Sequence, residues 1–460
     1  MKRTILTLLF FTLTTTLYGQ SIIIDENGIV RCEGVPIGTT ETISGENYEV
    51  VDRELLIQRR DEGVDMKLMC VSNVTDMSEM FLDRTVNGDI TSWDVSSVTD
   101  MGSMFFSSQF NQPIGDWDVS SVFNMERMFY FSQFNQPIGE WDVSSVTGMR
   151  GMFFNSPFNQ SIGNWDVSSV MGMASMFWGS PFNQPIGEWD VSSVSTMRFM
   201  FSWSQFDQPI ENWEVSSVTN MGGMFMNSSF NQSIGDWDVS SVTDMSNMFT
   251  STQFNQDISS WDVSNVTNMS RMFGESPFNQ PVGDWDVSSV TNMFLMFGNS
   301  QFNQPIGYWD VSSVTDMVSM FGNSPFNQSI NQWCVEHIPT EPHNFSINSP
   351  LTPQNKPVWG TCPTTSTNPD DIPITFSLYQ NYPNPFNPTT LIEFSIPNST
   401  NVRLEVFNVT GQLVHTLVNE TMNVGHHTVH FDGRSLSSGV YIYRLSTSEY
   451  TESRLMNLIK

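Results

Sequence analysis

Tryptophan stands at positions 93, 117, 141, 165, 189, 213, 237, 261, 285, 309 and 333, a spacing of 24 residues without a slip. A Met-x-x-Met-Phe unit keeps the same period, from Met77, Met80 and Phe81 to Met317, Met320 and Phe321. A unit this short cannot enclose a core of its own. It buries its apolar face only against copies on either side, and about three copies suffice for stability. The phrase "FNQPIGDWDVSSV", which opens at Phe110, therefore constrains the fold more than any bulk property. Each side chain meets its own equivalent one unit away.

Within one copy, Ile114, Trp117 and Val119 have the L-x-x-L-x-L spacing of a leucine-rich repeat. Period-2 alternation sends Trp117 and Val119 inward and Asp116 and Asp118 outward on a short strand. Val122, Met125, Met128 and Phe129 then fall at i, i+3, i+6 and i+7, one face of a short helix. The segments Ser97–Asp100 and Ser241–Asp244 read as its capping boxes. The expected fold over residues 71–333 is an α/β leucine-rich-repeat-like solenoid of about eleven coils, each a short parallel strand plus a short helix. The Asn of each "FNQ", from Asn111 and Asn135 to Asn327, reads as a ladder that satisfies turn backbone, broken only by Asp207. The paired Met read as adaptable core filling.

The ends differ from the repeats. Lys2 and Arg3 precede an apolar run from Ile5 to Leu17, with Gly19 at the end: a signal peptide over 1–19, too short for a membrane span. No transmembrane segment is expected elsewhere. Residues 20–70 and 334–362 would cap the stack. Residues 363–373 read as a polar, Pro-rich linker. From 374 to 460, alternating runs such as "LIEFSI" and "GVYIYRLST" predict a small all-β, Ig-like sandwich. Four Cys in an exported chain favour two disulfides. Three pairings are open; Cys32–Cys70 and Cys334–Cys362 are preferred because each closes a local loop.

With 48 acidic and 18 basic residues, the chain carries a net charge of −30. That surface repels a nucleic-acid backbone, so no nucleic-acid partner is expected, and it would attract cations or basic protein patches. No G-x-S-x-G, H-E-x-x-H or phosphate loop occurs, and no His precedes His337. Carboxylate pairs recur identically along the repeats, with nothing to single one out as the acid of a hydrolase. The expectation is a protein that is not an enzyme.

Three columns stand apart as candidate sites. Asp118, Asp142, Asp166 and Asp190 belong to an outward acidic column, one per coil. Stacked like charges need relief. Either Ser two positions on ties up each carboxylate, or calcium, as a bridging cofactor, takes several of their oxygens. The neighbouring column of Asp116, Glu140 and Glu188 is less regular and suits a contact surface. Just after each Met-Phe come Phe106, Tyr130, Phe154 and Trp178, then Ser202 with Trp203 beside it. Later copies carry Met226, Thr250 and then Gly there. An aromatic run in the first half only would suit sugar rings or the apolar anchors of a partner.

The phrase "FNQPIGxWDVSSVTxMxxMF" resembles the unit of BspA-like leucine-rich-repeat surface proteins over roughly residues 70–333. Residues 333–363 look like that family's closing cap. The phrases "YQNYPNPFNPTTLIEFSIP", "VFNVTGQLVHTLV" and "LSSGVYIYRL" resemble the type A C-terminal sorting domain of the type IX secretion system, over roughly 374–460. These resemblances imply a partner in the type IX secretion machinery and export beyond a Gram-negative outer membrane. They also imply a secreted or surface-attached adhesion protein whose ligand is an unknown protein or polysaccharide. The alternative is a structural spacer or surface-layer component.

Overall fold

The computed structural model describes residues 21–85, 88–363 and 375–460. The expected signal peptide and nearly all of the expected linker lie outside them. The chain divides into two compact units, one running to Cys362 and one from Pro363, with separate cores.

The expected α/β solenoid does not form. The single α-helix among the described residues is α1 (Arg53–Asp61), which precedes the repeats. From residue 71 to 333 the regular structure is single-residue parallel bridges, Asp76 to Asp100 to Asn124 and onward to Asp316. Each unit is a succession of turns. The carbonyls of Ile114, Val119 and Met125 accept N–H bonds from Trp117, Val122 and Met128 at 3.2, 2.9 and 3.2 Å.

The composition explains the correction. Ser, Thr, Asn and Asp before the Met pair compete for backbone groups and disfavour a helix interior. Asn124, for instance, accepts the Glu126 N–H at 3.0 Å, and Asp100 accepts that of Gly102 at 2.8 Å. The residue before the second Met is left-handed, at φ 56° in Ser103 and 55° in Arg127. An α-helix cannot contain such a residue. A β-turn with positive φ at its third position can.

Because helical bonds are not made, alternate N–H groups are free to point along the stack. Those of Met101, Ser103, Phe105 and Ser107 donate to the carbonyls of Asn124, Glu126, Met128 and Tyr130 in the next unit, at 2.7–2.9 Å. The same ladder recurs from unit to unit. The apolar pattern is nevertheless placed as its spacing suggests: Ile114, Trp117, Val119, Val122, Met125, Met128 and Phe129 are all buried. Each indole N–H reaches the preceding unit, as in Trp141 to the Ile114 carbonyl at 3.0 Å. A buried Trp thus leaves no donor orphaned. The Asn column works the same way: the Asn111 side-chain oxygen accepts the Asn135 N–H at 2.9 Å, and Asn135 that of Asn159 at 3.0 Å.

The first unit has no predecessor to fill its carbonyls, and the N-terminal segment supplies one. There β1 (Ile23–Ile24) pairs with β2 (Val30–Arg31), and β3 (Thr40–Ile43) pairs with β4 (Glu46–Val50). Strand β4 also lies parallel to β5 (Met69–Cys70). Helix α1, capped by the Asp52 side chain, buries Leu56 in the repeat core. Its Arg53 donates to the carbonyls of Asp76 and Ser78, at 3.0 and 2.9 Å, and Arg60 to that of Met80. At the far end Ile338, Phe345 and Leu351 close the core. Disulfides join Cys32 to Cys70 and Cys334 to Cys362.

The described residues of the second unit are all β. Strands β6 (Ser377–Leu378), β7 (Thr389–Ile396) and β10 (Gly425–Asp432) form one antiparallel sheet. Strands β8 (Thr400–Asn408), β9 (Leu413–Met422), β11 (Gly439–Ser446) and β12 (Thr451–Leu458) form the other. Phe394, Leu404, Tyr443 and Leu445 lie in a core shared by both sheets, the arrangement of a β-sandwich. The Tyr443 hydroxyl donates to the Tyr379 carbonyl and accepts the Asn381 N–H, both at 2.7 Å, which pins the segment before β7. Burial pushes this phenol up to about 12.

Candidate functional site

The turn that follows each Met-Phe sets successive side chains in register. Phe106, Tyr130, Phe154 and Trp178 form one continuous stack, with ring centroids 4.7, 4.3 and 4.3 Å apart and planes within 12° of parallel. All four are half-buried. Their inner faces are covered by one another, so the column presents chiefly ring edges. The next residue in each unit is a second left-handed slot. Most units place Ser, Asn or Gly there, but two place bulky aromatics: Phe131 (φ 53°, 44% exposed) and Trp203 (φ 58°, 56% exposed). Phe131 meets the stack edge-on, its ring 5.0 Å from that of Tyr130. A bulky residue held left-handed and exposed is unusual and points toward function rather than packing.

The acidic column is organised differently. One oxygen of Asp118 accepts both the N–H and the hydroxyl of Ser120, at 3.1 and 2.6 Å. Asp142, Asp166 and Asp190 repeat this with Ser144, Ser168 and Ser192. The Ser144 hydroxyl and then its N–H hold the Asp142 carboxyl below the usual aspartate range, and Ser192 does the same for Asp190. Each carboxylate is thus relieved within its own turn. Asp94, in the first unit, accepts from Ser96 in the same way, at 3.3 and 2.7 Å, and is also buried 3.4 Å from Arg31. Among the described residues no group of three or more His, Cys, Asp or Glu converges. Calcium takes six to eight oxygens, more than one column of single carboxylates offers. Asp116, Glu140 and Glu188 are exposed on the same side and are not brought together with the aromatic stack. The rings of Phe105 and Trp117 meet in the core at 6.5 Å, so the Met-Phe turn and the Trp segment that carries the acids pack against each other through it.

Several residues near the stack were not anticipated. Phe131 and Phe199 occupy left-handed slots, and Phe199 carries Arg198 over its ring at 4.4 Å. Between Arg84 and Lys356 the chain has four basic residues: Arg127, Arg150, Arg198 and Arg271. Every one stands between the paired Met, Arg127 and Arg150 in units of the stack, Arg198 one unit and Arg271 four units beyond it. Aligning the copies on their Met pairs would have exposed this.

The repeat body and its terminal sandwich now define a class: a two-unit protein whose main body is a stack of short repeats. Residues 58–160, 131–229, 154–253, 202–299 and 251–354 match the family described as "Mycoplasma protein of unknown function, DUF285", covering well over half of the chain. The protein belongs to that family. The match covers these repeats and does not itself identify them as leucine-rich repeats. Residues 380–457 match the secretion system C-terminal sorting domain. That domain implies export by the type IX secretion machinery to the cell surface or beyond. Among the described residues no helix is long and apolar enough to cross a membrane. No curated protein matches the chain.

Proposed function

We propose that this is a non-enzymatic binding or adhesion protein, exposed at or released from the cell surface, that engages its ligand with the aromatic edge of the repeat stack. The observation that carries this reading is the contrast along one column. Units from Phe106 to Trp178 carry rings there, followed by the exposed Trp203. Units at 274, 298 and 322 carry Gly and keep the same ladder, as in Glu275 N–H to the Gly298 carbonyl at 2.9 Å. The stack does not need the rings. Phe131 and Trp203 put exposed aromatic side chains into a left-handed slot that the other units give to small or polar residues. The resemblance to BspA-like surface proteins points the same way.

The intact protein, applied to polysaccharide and protein arrays with and without calcium, tests this against a Phe106→Ala, Tyr130→Ala, Trp178→Ala variant. A ligand retained by the parent and lost by the folded variant is the expected result. A folded parent that retains nothing in either condition would leave a spacer or surface-layer role.

A further inference from the structure

We infer that the ligand of this edge is an acidic polysaccharide, its rings met by the aromatic column and its carboxylate or sulfate groups by an arginine row. The inference rests on the binding reading above and names the chemistry of what is bound. The two positions between the paired Met run along the stack beside the aromatic column. From Gly102 to Ser319 they hold four Arg and one acid, Glu126, in a chain whose net charge is −30. Arg127, Arg150, Arg198 and Arg271 are exposed, and none has a carboxylate partner within ion-pair distance among the described residues. Every other Arg described in the first unit has one or donates to carbonyls.

Guanidinium and ring are placed together. The Arg127 stem and the Tyr130 ring lie side by side over Gly151, at 3.5 and 3.3 Å from where its Cβ would stand. Arg198 lies over Phe199, one unit after Trp178 and close in sequence to Trp203. Arg150 and Arg198 occupy the same column two units apart, about 10 Å at the spacing of parallel bridged chains. A guanidinium presents paired donors to a carboxylate or sulfate, and the exposed Trp203 indole offers a sugar ring an apolar surface. The acidic columns of Asp116 and Asp118 belong to the segment around Trp117, not to the Met-Phe turn that carries the Arg. At physiological salt their field falls off over about 8 Å, so they do not cancel this row. The four Arg fall one, two and three units apart over two adjacent columns, so an extended anionic polymer can meet them in turn where a compact ligand would reach one or two.

The test uses the intact protein with three polymers: alginate for carboxylate, dextran sulfate for sulfate, and neutral dextran. Binding to one or both acidic polymers, weakened by added salt, with at least tenfold loss in Arg150→Gln/Arg198→Gln at unchanged Tm, is expected. The Arg150→Lys/Arg198→Lys variant should retain part of the binding. Equal retention of neutral dextran, or binding indifferent to the Gln substitutions, would overturn the acidic-polymer inference while leaving the aromatic edge as a binding face. No retention of any polymer would also overturn it. In that case a protein ligand lost by the aromatic triple variant would show that the broader reading stands.

Discussion

Asp207 shows what the Asn column requires of each residue. Its carboxylate accepts the Asn231 N–H and the Gln232 amide, both at 2.9 Å, as Asn159 does for Asn183 and Gln184 at 3.0 and 3.1 Å. The slot therefore calls for an acceptor, which Asp and Asn both supply. Asn159→Asp should be nearly neutral in urea denaturation, whereas Asn159→Leu strands the Asn183 N–H and should cost about 1–3 kcal/mol. Gly223 makes a sharper demand. Its φ is 64°, and a Cβ there would stand 2.1 Å from the Phe199 ring. Gly223→Ala should lower stability by roughly 1–3 kcal/mol, and Phe199→Ala should recover most of that loss. The Asp caps set a pH dependence. Asp142, Asp190, Asp238 and Asp286 are held below the ordinary value of 3.8 by their Ser partners. A depressed folded pKa stabilises fully above the unfolded value and is lost as pH falls through the folded one. The Tm of the parent should decline on acidification below about pH 4 more steeply than that of the fourfold Asp→Asn variant, by a modest amount because these groups are exposed.

At the scale of elements, burial was legible and secondary structure was not. Val122, Met125, Met128 and Phe129 are inward as their spacing suggests, yet consecutive turns bury the same positions as one helical face. What separates the two is the sign of φ at Ser103, Arg127 and their equivalents, and non-Gly residues there carry no sequence signature. The same blind spot hid Phe131 and Phe199, whereas Phe106 to Trp178 were visible as a column. The sandwich strands were legible because alternation has no competing turn pattern. A ladder built this way has open ends, and α1 closes one of them with side chains. Arg53→Ala/Arg60→Ala would leave the carbonyls of Asp76, Ser78 and Met80 without these donors. Hydrogen exchange should then accelerate in the first units and leave the middle of the stack protected, since each repeat depends mainly on its neighbours. Uniform acceleration along the stack would count against such an end cap.

For the whole molecule, the division into two cores has a redox consequence. Both disulfides lie in the first unit, and the second contains no Cys. They close loops at the two ends of the repeat body, with sequence separations of 38 and 28. Loops of that length restrict the unfolded chain by about 3–4 kcal/mol each. The ends are where a stack is weakest, because a terminal unit has one neighbour in place of two. Reduction should therefore act first on the end units and then on the cooperative unfolding of the stack. The sandwich, with its own core around Phe394 and Tyr443, should unfold at the same temperature in either redox state. Calorimetry of the intact protein with and without dithiothreitol separates these outcomes. A drop in the repeat transition alone is expected. A shared drop in both transitions would mean that the two cores unfold as one cooperative body. No drop at all would mean that the end units are held by the core closure of Leu56 and Phe345, with the disulfides contributing little to stability.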